Sequence, residues 1–83
     1  MKQVSWSKSS LRTLRRMPVN TARLIKAKVE LFARDPDALG NNVKALKQTG
    51  LIRLRVGDWR IILDDGTVLL VLAVGPRGGI YED

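Results

Sequence analysis

The sequence contains no cysteine and no histidine. Without cysteine there are no disulfide bonds and no thiolate metal sites. Without histidine, zinc sites of the ordinary type and catalytic triads built on histidine are excluded. We therefore expect neither a metal nor a small-molecule cofactor.

Long apolar segments are also missing. The longest apolar run, from Thr67 to Ala73, is too short to cross a bilayer, and the N-terminal residues have no apolar core of the signal-peptide kind. We expect a cytoplasmic protein without a membrane partner. With 83 residues, 45% of them hydrophobic, the chain can form one modest core, so we predict a single domain over residues 1–83.

Acidic residues are few compared with basic ones. There are 8 aspartates and glutamates against 15 lysines and arginines, which gives a net charge of +7. Such an excess favours an anionic partner, a class that includes nucleic acid, the ribosome and acidic protein segments.

Three strands are predicted in the second half of the chain. In residues 51–56 apolar residues alternate with arginines, which is typical of a half-buried strand. Gly57-Asp58 connects it to a strand over residues 59–63, and Asp65-Gly66 predicts a type I′ turn before residues 67–74. The apolar face of this meander is predicted to carry Ile52, Leu54, Val56, Trp59, Ile61, Leu63, Val68, Leu70, Leu72 and Val74.

Two-residue turns determine which residues face each other. They place Arg55 opposite Arg60, and Arg60 opposite Val71 on the third strand. Arg53, Arg55 and Arg60 then share the face that is not apolar. Like charges directly opposite each other are destabilising, and an acidic side chain or a bound phosphate would relieve the repulsion.

Two helices are predicted to cover the apolar face. The first runs from about Lys8 to Arg16 with Ser7 as its N-cap. The second begins near Asn20 or Thr21 and continues to about Arg34.

The predicted fold class is α+β. A short N-terminal strand over residues 2–6 precedes a two-helix hairpin, which packs on a three- to four-stranded antiparallel sheet.

Three segments together resemble the RelE/ParE family of bacterial toxins. They are residues 42–47 (NVKALK), 52–62 (IRLRVGDWRII) and 74–81 (VGPRGGIY). The resemblance implies a RelE-like fold and an antitoxin partner whose acidic, amphipathic segment covers the basic surface. For the RelE branch it also implies metal-free cleavage of messenger RNA on the ribosome, whereas the ParE branch poisons DNA gyrase.

The resemblance also implies residue roles. By position, Arg60 and Arg77 match the arginines that stabilise the phosphate, and Tyr81 matches an aromatic acid or base. Arg53 stands where the family often has a catalytic lysine. The predicted catalytic set is therefore Arg53, Arg60, Arg77 and Tyr81.

RNA binding outside the catalytic set is assigned to Lys44, Lys47 and Arg55, with the two lysines on one side of a short turn or helix. The chain departs from the family pattern at two positions. Leu51 replaces a second lysine and Pro76 replaces a frequent histidine, which leaves Tyr81 as the candidate for proton transfer.

Each residue has a structural alternative. Arg53 and Arg55 fit the solvated side of an amphipathic strand, and Arg77 has Glu82 and Asp83 as possible ion-pair partners. The functional hypothesis is a toxin that acts as a ribosome-dependent messenger RNA endoribonuclease. The alternatives are a ParE-like gyrase inhibitor and a non-catalytic relative that binds RNA or antitoxin.

Overall fold

The structure is a computed structural model and describes residues 2–78. Its elements, in chain order, are β1 (Val4–Trp6), α1 (Lys8–Arg16), α2 (Val19–Arg34), a 3₁₀ segment (Pro36–Asn42), β2 (Val43–Ala45), β3 (Ile52–Val56), β4 (Trp59–Asp65) and β5 (Leu69–Pro76). The predicted α+β class is confirmed. Within this part of the chain no helix has the length and apolar character needed to cross a membrane.

The five strands form one mixed sheet in the order β1-β5-β4-β3-β2. β1 runs parallel to β5, and the other neighbours are antiparallel. The predicted antiparallel sheet of three or four strands was therefore too small. β2 was missed because three residues are too few to show a strand's alternation. β1 can pair in parallel with β5 because a long connection, which includes both helices, separates the two strands in sequence.

The start of α1 is fixed by Ser7. Its Oγ accepts a hydrogen bond from the Ser10 backbone N–H at 3.0 Å, as an N-cap does. At the other end Met17 is extended (φ −99°, ψ 163°), because a residue before proline avoids the helical region. α2 follows Pro18 directly and begins at Val19, slightly earlier than predicted.

The core lies between the helices and one face of the sheet. Both helices contribute through their inner sides, and β3, β4 and β5 contribute alternate residues. The buried members are Leu14, Met17, Ile25, Val29, Phe32, Ala33, Leu39, Leu54, Val56, Ile61, Leu63, Leu69, Val71 and Val74.

The connection between β4 and β5 is longer than predicted. Asp65 pairs with Leu69, so residues 66–68 form a three-residue connection and not a two-residue type I′ turn. That turn type needs positive φ at both central residues, and neither Asp65 nor Gly66 has it in the described chain. By contrast, Gly57 has φ 58° at the first central position of the β3–β4 turn, as a type II′ turn requires.

A β-bulge changes the β4–β5 register further along. Ile62 pairs with Ala73, whereas the next residue of β4 already pairs with Val71, so Leu72 has no residue opposite it. Arg60 lies opposite Gly75 and not opposite Val71, which corrects the predicted pairing. The Asp65–Leu69 register alone would place Val74 opposite Arg60, and the bulge moves the partner on by one residue to Gly75.

The same register decides which residues of β5 are buried. Leu69 and Val71 are fully buried and belong to the core. Strict alternation would next place Ala73 on the core side, but the extra residue of the bulge places Val74 there instead. The predicted apolar face is wrong at three residues of this segment. Val68 is 42% exposed, and Leu70 and Leu72 are only half-buried.

The sheet face opposite the helices also buries apolar side chains. Ile62 is fully buried and Leu46 is 6% exposed, and neither belongs to the core under the helices. This face is therefore partly packed, which the sequence pattern did not predict.

Candidate functional site

Four cationic side chains gather on the sheet face that the helices leave uncovered. Lys44 lies opposite Arg53 across β2 and β3, and Arg55 lies opposite Arg60 across β3 and β4. Because side chains alternate along a strand, all four leave the sheet on the same side. The predicted β3–β4 register, and with it the shared face, is the one observed.

A groove lies at the β2 edge of this face. It has a volume of about 270 Å³ and is lined by Asn41, Asn42, Val43, Lys44, Arg53 and Arg55. Three cationic and two amide side chains therefore border one depression, and among residues 2–78 no carboxylate lines it. That composition suits an anion which also carries hydrogen-bonding groups.

Neither asparagine of the groove was predicted as a binding residue from the sequence. The Asn42 Nδ2 donates a hydrogen bond to the backbone carbonyl of Arg55 at 3.2 Å. This bond ties the end of the 3₁₀ segment to β3. The signal that could have found it is the Asn-Asn pair directly before a strand that carries Lys44.

Arg60 does not line the groove although it neighbours Arg55. It is 8% exposed, and its Nη1 donates to the backbone carbonyls of Gly57 and Trp59, both at 3.2 Å. Carbonyl oxygens thus solvate part of the buried guanidinium and hold the β3–β4 turn to β4.

Arg77 lies beside the same turn. Its backbone N–H donates to the carbonyl of Asp58 at 2.7 Å, and its side chain is exposed. The turn therefore brings Arg60 and Arg77 to one end of the sheet, next to the row that holds Arg55. The predictions for Tyr81, and for pairing of Arg77 with Glu82 or Asp83, concern residues outside 2–78.

The two lysines do not share one element, which corrects the predicted turn or helix. Lys44 is on β2, whereas Lys47 is in the turn that follows and is exposed. Leu46, which lies between them in sequence, is buried and donates its backbone N–H to Leu51. Lys47 is absent from the groove lining.

The described residues therefore form two adjoining clusters of cationic side chains. The first is the groove with Lys44, Arg53 and Arg55, and the second is the β3–β4 turn with Arg60 and Arg77. Guanidinium groups bind phosphate through forked donors and keep their charge, so they stabilise anions but do not transfer protons. Across residues 2–78 no three acidic side chains gather as metal ligands would.

Comparison with known proteins gives one family and a set of similar folds. Residues 4–81 match the family model described as ParE toxin of type II toxin-antitoxin system, parDE. The chain is similar to the archaeal RelE-RelB complex from Pyrococcus horikoshii OT3, at 26% identity and a TM-score of 0.77, with 95% of this chain and 98% of that chain covered. No match was found among the curated proteins.

Two further solved structures share the fold at lower identity. The toxin-antitoxin complex RelBE2 from Mycobacterium tuberculosis is 24% identical with a TM-score of 0.66, covering 92% of this chain and 98% of that one. The intact RelBE complex from E. coli is 16% identical with a TM-score of 0.72, covering 93% and 98%.

Proposed function

This chain belongs to the RelE/ParE family of toxins from type II toxin–antitoxin systems, and from that premise we propose that it is an endoribonuclease that cuts messenger RNA on the ribosome. The observation that carries the proposal is the groove, where Lys44, Arg53 and Arg55 meet two asparagine amides. A phosphodiester chain needs cations along its backbone, and single-stranded bases need hydrogen-bonding groups beside them.

The chemistry requires no metal. The ribose 2′-oxygen attacks the adjacent phosphorus and loses its proton, while the bond to the 5′-oxygen breaks and that oxygen gains a proton. The products are a 2′,3′-cyclic phosphate and a 5′-hydroxyl. Negative charge increases on the phosphorane oxygens, and arginines stabilise it.

We assign the steps to residues as follows. Arg53 and Arg77 contact the scissile phosphate. Arg60 supports the β3–β4 turn, to which the Arg77 backbone is hydrogen-bonded, and its charge adds to the field. Lys44, Lys47 and Arg55 hold the flanking RNA. Tyr81 transfers a proton, a role carried over from the family resemblance.

The partner that would control this activity is an antitoxin. The similar structures from Pyrococcus horikoshii OT3 and E. coli are described as complexes of RelE with RelB. On this chain the cationic face, with a net protein charge of +7, would accept an acidic segment of such a partner. RNA and antitoxin then compete for one surface.

Three observations support a second candidate function. The matching family model is that of ParE, Leu51 and Pro76 replace residues typical of the nuclease, and the Arg60 Nη1 is engaged by backbone carbonyls. These features favour a ParE-like inhibitor of DNA gyrase, or a relative that only binds RNA or antitoxin.

One pair of assays separates these functions. Purified protein is added to ribosomes translating a defined message, and cuts are mapped by primer extension; in parallel, gyrase supercoiling is measured. The proposal expects discrete cuts, reduced about 100-fold or more in Arg53→Ala and Arg77→Ala, and reduced about 100-fold in Tyr81→Phe. The matched control is Arg12→Ala, which removes the same charge from the exposed side of α1.

The opposite outcomes are equally clear. An intact message together with arrested supercoiling would establish the gyrase function. Neither effect, combined with binding of RNA that weakens steeply with salt, would establish the binding module. Cuts that persist unchanged in Arg53→Ala and Arg77→Ala would remove these residues from the mechanism.

A further inference from the structure

The proposed reaction needs a group that accepts the proton of the ribose 2′-hydroxyl. The chain has no histidine, and charged arginine and lysine side chains are donors without an acceptor. A tyrosine phenol carries its proton at neutral pH, so Tyr81 suits the other step, in which the 5′-oxygen gains a proton. A carboxylate is ionised at neutral pH and accepts hydrogen bonds, so an acidic side chain can take the 2′-hydroxyl proton.

Within residues 2–78 one acidic residue lies at the end of the sheet where the arginines gather. Asp58 stands in the β3–β4 turn, to which the Arg60 side chain and the Arg77 backbone are hydrogen-bonded. The other acidic residues of this part lie on α2, near the start of the 3₁₀ segment or at the opposite end of β4; they are Glu30, Asp35, Asp37, Asp64 and Asp65.

The strand register places Asp58 on the same face of the sheet as the arginines. Trp59 pairs with Pro76, and the Arg77 N–H donates to the Asp58 carbonyl at 2.7 Å, so the β4–β5 pairing continues by one residue. Asp58 therefore stands across from Arg77. Because side chains alternate along a strand, residues 58 and 60 share the face that the helices leave uncovered.

The Asp58 carboxylate is accessible to a ligand. Asp58 is exposed, and its carboxylate forms no ion pair with another residue of the part that the structure describes. A carboxylate alone would repel a phosphate, but the charges of Arg60 and Arg77 beside it offset that repulsion.

The turn that carries Asp58 is held on both sides. The Arg60 Nη1 donates to the Gly57 carbonyl at 3.2 Å, and the Arg77 N–H donates to the carbonyl of Asp58 itself. A group fixed in position before the substrate binds loses little freedom in the reaction, which is what a catalytic base requires.

We propose that the Asp58 carboxylate is the general base of the reaction and accepts the 2′-hydroxyl proton as the 2′-oxygen bonds to phosphorus. Asp58 becomes a neutral carboxylic acid, while the bond from phosphorus to the 5′-oxygen breaks and that oxygen takes a proton from Tyr81. Transfer of one proton through water from Asp58 to Tyr81 restores the protein. The inference rests on the proposed ribonuclease function and adds a catalytic residue to it.

The pH dependence of cutting tests this role. Single-turnover rates on stalled ribosomes are measured at saturating protein. Between about pH 6.5 and 8.5 the wild-type rate should change little, because carboxylates are already ionised there. In Asp58→Asn, hydroxide has to remove the proton, so the rate should fall about 100-fold near neutral pH and rise about tenfold for each pH unit. A residue that only shapes the turn would change the rate without changing this slope.

Three further variants complete the test. Asp58→Glu keeps a carboxylate and should keep the flat pH profile. Asp64→Asn makes the same change of charge at an exposed residue near the other end of β4, and should alter neither the rate nor the slope. Asparagine suits turns as aspartate does, so the thermal unfolding of Asp58→Asn should match the wild type. Asp58→Ser, with another residue common in turns, serves the same test if the asparagine variant unfolds.

The outcomes separate this inference from the function on which it rests. Cutting by Asp58→Asn at the wild-type rate, or a slower rate with the flat profile of the wild type, would overturn the role of Asp58 and leave the ribonuclease intact. A wild-type protein that makes no cuts would overturn the ribonuclease and the role of Asp58 together.

Discussion

Arg55 and Arg60 lie directly opposite each other on β3 and β4, yet one side chain is exposed and the other is buried. The repulsion expected from their pairing is reduced within the protein, because the Arg60 Nη1 is 3.2 Å from the carbonyls of Gly57 and Trp59. Arg55 instead lines the groove. One arginine of the pair supports the turn, and the other is available to a ligand.

This division predicts different effects of the two arginines on stability. Arg60→Met keeps much of the side-chain volume but removes the donors to two carbonyls, so the free energy of unfolding should fall by about 1–3 kcal/mol. Arg55→Met should change it by less than about 0.5 kcal/mol, as is usual at exposed positions. Urea unfolding measures both. Equal losses in the two variants would show that the carbonyl contacts of Arg60 do not matter.

RNA binding should depend on salt in a way that locates the contact. If Arg53 meets a phosphate, Arg53→Ala should reduce the slope of log K against log salt by about 0.7, the value for one contact with a single strand. Arg12→Ala removes an equal charge away from the groove and should leave the slope unchanged. Titrations of an RNA oligonucleotide at several salt concentrations give these slopes. Equal changes in both variants would mean that binding is diffuse over the surface.

Ser7 should stabilise the fold through two elements. Its Oγ accepts from the Ser10 N–H and is 2.9 Å from the carbonyl of Leu72, the bulged residue of β5. Ser7→Ala removes the helix cap, and the free energy of unfolding should fall by about 0.5–2 kcal/mol. Ser9→Ala, at an exposed position of α1, is the matched control. Thermal or urea unfolding that places the two variants together would contradict a role for Ser7 at both sites.

Ile62 should be as important as a residue of the main core. It is fully buried although it shares the sheet face of Arg53 and Arg60. Ile62→Ala should therefore lower the free energy of unfolding by about 2–5 kcal/mol, as deletion of buried methyl groups does. Val68→Ala, at a residue that is 42% exposed, should have little effect. A small loss for Ile62→Ala would indicate that this face is open to water.

The sequence predicted those parts of the fold that are determined by local signals. Ser7 and the period of the apolar residues located α1, and the Gly57-Asp58 turn set the β3–β4 register and hence the face shared by Arg53, Arg55 and Arg60. The face on which a strand residue lies is predictable when one short turn sets the register, because side chains alternate between only two faces of the sheet.

The β4–β5 bulge and the groove could not be predicted, because they depend on contacts between distant segments of the chain. The bulge at Leu72 moved Gly75 opposite Arg60, and it is held by hydrogen bonds from the start of α1, some 65 residues away in sequence. Likewise, the groove forms where the end of the 3₁₀ segment, at Asn42, meets Arg55 of β3. The strand between them in sequence, β2, is too short to be predicted from its own residues. No local pattern reports such pairings.

Cross-linking on the ribosome tests the central claim most directly. A message with a photoreactive uridine at the codon next to the expected cut is loaded on stalled ribosomes, Arg77→Ala is added so that cutting is slow, and the cross-linked peptides are identified by mass spectrometry. The account predicts cross-links within residues 41–55, which contain the groove. Cross-links confined to α1 and α2, or none in a preparation whose wild-type protein cuts that codon, would contradict it.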